Sequence, residues 1–113
     1  MEYKFESYSA SPSYKKTYLA FQNEKLIGFV ELELDGHIDC VYVHPNFHNQ
    51  GVGSELLNFI LKRAKELELK RLFIEASIVA KALFKKHGFV LIKGNKIKRG
   101  SVVLVNFTLE CIL

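Results

Sequence analysis

Apolar and polar positions alternate in short runs through the first forty residues and switch to helical spacing after position 51. Residues 17–22 form a brief β-like run carried by Tyr18, Leu19, Ala20 and Phe21, and Asn23-Glu24-Lys25 follows as a turn. Residues 26–34 read as a longer strand. Asp35-Gly36 is a hairpin signal, because a type I′ turn needs positive φ at its centre. Residues 37–43 return as a strand that Pro45 stops, since proline has no N–H for the ladder. From 51 to 69, Val52, Leu56, Leu57, Ile60, Leu61, Ala64 and Leu67 recur at three and four, one apolar stripe of a helix. Residues 71–76 are a short buried strand. Ser77 caps a second helix over 78–87, which Gly88 ends. Strands at 89–93 and 102–113 flank a basic turn, 94–100. The order β-β-β-α-β-α-β-β, with its first strands hairpin-linked, predicts an α+β fold in which helices flank a mixed sheet.

Composition narrows the class. The chain has 113 residues, 49% hydrophobic and 25% charged, with seven glycines and two prolines. Such a chain folds, and residues 1–113 are expected to form one domain. No apolar run reaches the ~18 residues that span a bilayer, and no apolar leader opens the sequence. Two cysteines, Cys40 and Cys111, are too few for a disulfide framework. The expected setting is the cytoplasm, with no membrane partner.

Charge is unevenly spread. Residues 1–40 hold four lysines against seven acids, whereas residues 76–109 hold Lys81, Lys85, Lys86, Lys93, Lys96, Lys98 and Arg99 with no acid. One end suits a cation and the other an anion. Phe84 and Phe89 fall on apolar faces and not among the lysines, so a nucleic-acid partner is not expected.

The chemistry concentrates where strand 37–43 meets the first helix. Val43-His44-Pro45 leads through Phe47 and His48-Asn49-Gln50 into Gly51-Val52-Gly53-Ser54. A helix that starts on two glycines offers unpaired N–H groups and the positive end of its dipole to an anion such as a pyrophosphate. Gly53 is followed by Ser54-Glu55 and not Lys-Ser/Thr, which excludes a P-loop, and Leu56 stands where a dinucleotide fingerprint needs a small residue.

The same stretch resembles the acetyl-CoA motif of the GNAT (Gcn5-related) N-acetyltransferases: Val-x-Pro, an aromatic residue, then Arg/Gln-x-x-Gly-x-Gly opening a helix. The segment Ala80-Lys81-Ala82-Leu83-Phe84-Lys85-Lys86-His87-Gly88-Phe89 resembles the family's second signature, at the right distance and in the right order. The resemblance covers about residues 17–113 and implies a central, mostly antiparallel sheet flanked by helices. On that resemblance the family's N-terminal helices are expected to be absent or abbreviated to residues 1–16. It implies acetyl-CoA as co-substrate, no metal, and acetyl transfer to the amine of a small molecule or peptide. Gln50, Gly51, Val52, Gly53 and Ser54 would hold the pyrophosphate with their backbone N–H groups, helped by His48 and Asn49. The strand Val41, Tyr42, Val43 would pair with the pantetheine arm and polarise the thioester carbonyl. Ala80 and Phe84 would lie beside the pantetheine, and Lys81, Lys85 and Lys86 would attract the 3′-phosphate and adenine end. His48 stands where the family has Arg or Gln. Phe84 stands where many members carry a Tyr that protonates the leaving thiolate, and phenylalanine has no proton to give. Ser77, Tyr42 or a water are the open alternatives. For the base, Glu31 and Asp39 flank the presumed central strand.

The histidines, His37 included, read as surface or loop residues and Cys40 as a structural thiol. The final strand, 102–109, offers an edge for a homodimer. The alternative function is a non-catalytic acyl-CoA-binding or interaction module of the same fold.

Overall fold

The computed structural model describes residues 3–8, 12–47 and 51–113. Its elements are β1 (Lys4–Tyr8), β2 (Lys15–Gln22), β3 (Lys25–Glu33), β4 (Ile38–Val43), a 3₁₀ turn (Pro45–Phe47), α1 (Val52–Glu66), β5 (Arg71–Ala76), α2 (Ile78–Lys86), β6 (Val90–Arg99) and β7 (Val102–Ile112). The architecture is α+β, as expected, with antiparallel sheets and two helices. β1 is an additional strand before the predicted set.

The sheet comes in two parts. The first runs β1-β2-β3-β4 and the second β5-β7-β6, with every neighbouring pair antiparallel. They meet at one point, a parallel bridge between His37 and Phe73, where the Phe73 N–H donates to the Gly36 carbonyl at 3.0 Å. Beyond that point β4 and β5 are the facing edges of separate sheets.

Period-two burial explains how the sheets are held. Tyr18 and Ala20 on β2, Val30 and Leu32 on β3, and Leu72, Ile74 and Ala76 on β5 all turn inward. Val52, Leu56, Leu57, Ile60 and Ala64, the predicted stripe of α1, and Phe84 of α2 join them in one continuous core. The other phase of the strands, including Thr17, Glu31, Glu33, Phe73 and Glu75, stays outside that core.

Turns and strand ends differ in detail from expectation. The type I′ hairpin is Asn23-Glu24, both at positive φ (50° and 66°) between paired Gln22 and Lys25. Asp35 is not at positive φ. That hairpin spans Leu34–Gly36, and only Gly36 takes the left-handed conformation (φ 98°). The stretch 94–100 is not a turn. β6 continues through Arg99, and the reversal lies at Gly100-Ser101. Gly94 sits beneath the Phe107 ring, and Asn95 donates to Asn106 and Thr108 at 2.9 Å, which ties the ribbon together. β7 is paired on both sides over Phe107–Glu110, and its first five residues, 102–106, pair with β6 alone and keep an edge free of β5.

Candidate active site

The point where β4 and β5 part opens a cleft of about 620 Å³. Val41, Val43 and Phe47 line one wall, Gly51, Val52, Gly53 and Ser54 the end, and Val79, Ala80, Leu83, Phe84 and Lys86 of α2 the other wall. The two motifs singled out in the sequence therefore face each other across one cavity. Sheet separation makes room for it, because among the described residues no strand pairs with β4 on this side.

The end of the cleft is built to receive negative charge. Gly51 takes φ 79° before α1, a conformation that costs an L side chain free energy and costs glycine little. The Glu55 N–H donates to the Gly51 carbonyl at 3.0 Å and begins the helical ladder. The N–H groups of Val52, Gly53 and Ser54 precede that first bond, so the helix itself does not use them. Their dipole end and the ammonium of Lys86 bring positive potential to the same cavity. The walls are apolar, which suits a flexible hydrocarbon and amide arm laid along β4.

Several expected residues meet here. Gly51, Val52, Gly53, Ser54, Val41, Val43, Ala80 and Phe84 all line the cleft. His48, Asn49 and Gln50 lie outside the described residues. The Tyr42 ring is on the other face of β4, stacked on Phe29 at 5.3 Å. Of Lys81, Lys85 and Lys86, the one that lines the cleft is Lys86. Phe84 is 2% exposed and packs edge-on against Phe89 at 5.1 Å, so its place is core as well as wall.

Ser77 caps α2, its Oγ accepting the Ala80 N–H at 3.2 Å. Ser77→Ala is expected to lower unfolding stability by about 1 kcal/mol in denaturant titration, the ordinary worth of such a cap. A loss of turnover at unchanged stability would instead mark the hydroxyl as a proton donor.

Glu31 and Asp39 do come together, but around a lysine. Lys15 Nζ lies 2.7 Å from Asp39 and 3.4 Å from Glu31. The hydrogen bond from Lys15 holds the Asp39 carboxyl below its usual value. Burial, then the charges of Glu31 and Asp39, push the Cys40 thiol up, consistent with a structural role.

Two histidines matter more than the sequence suggested. His87, at the C-terminus of α2, is within 3.1 Å of the Ser54 hydroxyl through Nε2 and so links the two helices at the cleft. His37 is not a free loop residue. Its Nδ1 meets Glu33 at 2.9 Å, its Nε2 meets Glu75 at 2.8 Å, and its ring stacks on Phe73 at 4.9 Å. Both networks span more than thirty residues or join different strands, so no local spacing announces them.

Parted sheets with a glycine-started helix at the parting define the cleft. The acetyltransferase (GNAT) domain model matches residues 3–111, and the chain belongs to that family. It is 29% identical over 92 residues to the N-acetyltransferase YafP of Escherichia coli, covering 81% of this chain and 57% of that protein. Among solved structures, a GCN5-related N-acetyltransferase from Rhodopseudomonas palustris superposes with a TM-score of 0.79 at 30% identity, over 88% of this chain and 62% of that one. A GNAT acetyltransferase from Elizabethkingia anophelis with acetyl-CoA bound matches at a TM-score of 0.81 and 20% identity, over 98% of both chains. The chain thus spans a little over half of YafP. No helix among the described residues is long and apolar enough to cross a membrane.

Proposed function

We propose that residues 1–113 act as one domain that binds acetyl-CoA and transfers its acetyl group to an amine. The observation that carries this reading is the cleft, where two sequence-distant motifs converge on one cavity with first-turn N–H groups that the helix itself does not use at its end. In that reading the backbone of 50–54 holds the pyrophosphate, with His48 and Asn49 beside it. Val41, Tyr42 and Val43 present the strand edge to the pantetheine, and Ala80 and Phe84 wall it. The amine nitrogen attacks the thioester carbonyl, the C–S bond breaks, and CoA leaves as thiolate. Thiols have a pKa near ~8.5, so departure does not require an acid as strong as a Tyr. Ser77 stands at the head of α2 as the candidate donor. Glu31 is the candidate base, acting through water, with Asp39 and Lys15 fixing its place. Two acids on that face also suit an acceptor that arrives as an ammonium.

Titration calorimetry with CoA and acetyl-CoA tests the reading, followed by thiol release over a panel of small-molecule and peptide amines. Absence of binding would sink it. Binding without thiol release from any amine would favour the non-catalytic acyl-CoA module, for which the buried Phe84 in place of a Tyr is the supporting observation.

The charge assignment is separately testable. Lys86→Glu is expected to weaken CoA binding about tenfold at low salt and less at 0.5 M, because exposed charge pairs are screened over roughly 10 Å at 0.1 M. Lys85→Glu is expected to do less, since Lys86 is the lysine that lines the cleft. Equal effects would return Lys85 to the site.

A further inference from the structure

The two walls of the cleft spring from one small junction. Gly36 packs against the backbone of Arg71, Phe73 donates to the Gly36 carbonyl, and the His37–Phe73 bridge joins the sheets. From this vertex β4 runs to Val43 on one wall. β5 runs to Ala76 and then, through Ser77, into α2 on the other. Whatever sets the angle at the vertex sets the width of the cleft.

His37 lies on that vertex and touches both sheets. Glu33 belongs to β3 in the first sheet and Glu75 to β5 in the second, and each places a carboxylate oxygen against one ring nitrogen. A neutral imidazole has one donor and one acceptor nitrogen. It can satisfy only one of these carboxylates and sets a lone pair against the other. The imidazolium donates to both. The arrangement therefore specifies a doubly protonated ring, and a protonated ring is no metal ligand, although Glu33, His37 and Asp39 hold their ligand atoms within 4.8 Å.

We propose that His37 is a positioning residue: its imidazolium clasps Glu33 to Glu75 across the root of the cleft, and its deprotonation loosens the hold of the two walls on acyl-CoA. The proposal rests on the acyl-CoA reading of the cleft. His37 does not itself reach the reacting atoms. Val41 lies four positions further along the chain, at ~3.3 Å per residue of strand.

The surroundings favour the cation. Burial works against charge on the ring, but the hydrogen bonds to Glu33 and Glu75 outweigh it and raise the pKa above the ordinary value. Asp35 of the same turn accepts the His37 backbone N–H at 3.0 Å. Asp39 of β4 adds negative charge, partly answered by Lys15 of β2. On the far side Arg71 of β5 lies over the Phe73 ring and is paired with Glu110 of β7. The sign follows. A folded-state value above the unfolded ~6.5 contributes stability in full below pH ~6.5, and that contribution is lost as pH rises through the folded-state value.

The test uses the whole chain. His37 ring resonances are followed by NMR from pH 5 to 9, and CoA affinity is measured by calorimetry across the same range. The expected result is a His37 midpoint above 6.5 and a CoA affinity that falls several-fold through that same midpoint. His37→Arg keeps a cation that can donate to both carboxylates. It is expected to hold the high-affinity value and to remove this step. His37→Gln is expected to bind weakly throughout. A ring that titrates at or below 6.5, an affinity that is flat through its midpoint, or a His37→Arg profile that matches the native one would each overturn the proposal. Failure to bind CoA at any pH would overturn the parent reading and the link to affinity together. A high midpoint in that same sample would show that the clasp itself had formed.

Discussion

Gly53→Leu is expected to cut CoA affinity by about 100-fold, or roughly 2.7 kcal/mol, and to leave a folded protein. Gly53 is the second residue of α1 and lies on the floor of the cleft, where a ligand must come against the backbone to reach the N–H groups of the first turn. A Cβ built there stands 3.1 Å from Cδ2 of Leu83 across the cavity. The rest of a leucine side chain has nowhere to go but into the space between α1 and α2. Folding should tolerate the change for two reasons. Gly53 is not at positive φ. Glycine inside a helix is also about 1 kcal/mol worse than a good helix former, which offsets the cost of moving one Leu83 methyl. The measurement is calorimetry with CoA beside a thermal melt. If affinity changed less than about threefold with the melt intact, the end of this cleft would not be where the phosphates bind, because an interaction worth 2 kcal/mol or more cannot be lost so quietly.

The parts legible from sequence were those where local pattern and local structure share one cause. The α1 stripe is such a case: Val52, Leu56, Leu57, Ile60 and Ala64 recur at helical spacing because one face is buried, and burial is what the pattern records. Ser77 and Gly88 bracket α2 because a side-chain cap and a left-handed glycine (φ 91°) are local devices. The Gly51–Ser54 end of the cleft was visible for the same reason. The turns were less so. Asp35-Gly36 has the stronger composition for a type I′ hairpin, yet Asn23-Glu24 adopts it, because the pairing of Gln22 with Lys25 leaves only two residues to reverse the chain. Gly94 and the lysines around it looked like a loop, but Lys96-Ile97-Lys98 is also a period-two pattern, and the partner strand decides which reading holds. Contacts between distant strands were not visible at all. His37 acquires its role from Glu75, 38 residues away, and Glu31 and Asp39 acquire a common partner in Lys15 only once β2, β3 and β4 lie side by side.

The junction that joins the sheets should be the least forgiving place in the molecule. Gly36→Ala is expected to cost about 3 kcal/mol or more, from backbone strain and overpacking of roughly 1–3 kcal/mol each. Gly36 has φ 98°, and a Cβ on it would collide with the carbonyl oxygen of Arg71, a backbone atom that cannot swing aside as a side chain can. Relief requires moving β5 away from the turn, and that breaks the Phe73–Gly36 hydrogen bond and the His37–Phe73 stack together. For a chain of this size the shift in Tm is on the order of 10–20 °C. Gly100→Ala provides the control. Gly100 also sits at positive φ (62°), but a Cβ there meets no atom within 4 Å. Its expected cost is only the conformational part, about 1 kcal/mol. The difference between the two variants isolates the contact between sheets from the preference of glycine for left-handed backbone. Stabilities that agree within about 0.5 kcal/mol would mean that the sheets do not bear on each other at Gly36, since distinct sites differ by more than that when only one is overpacked.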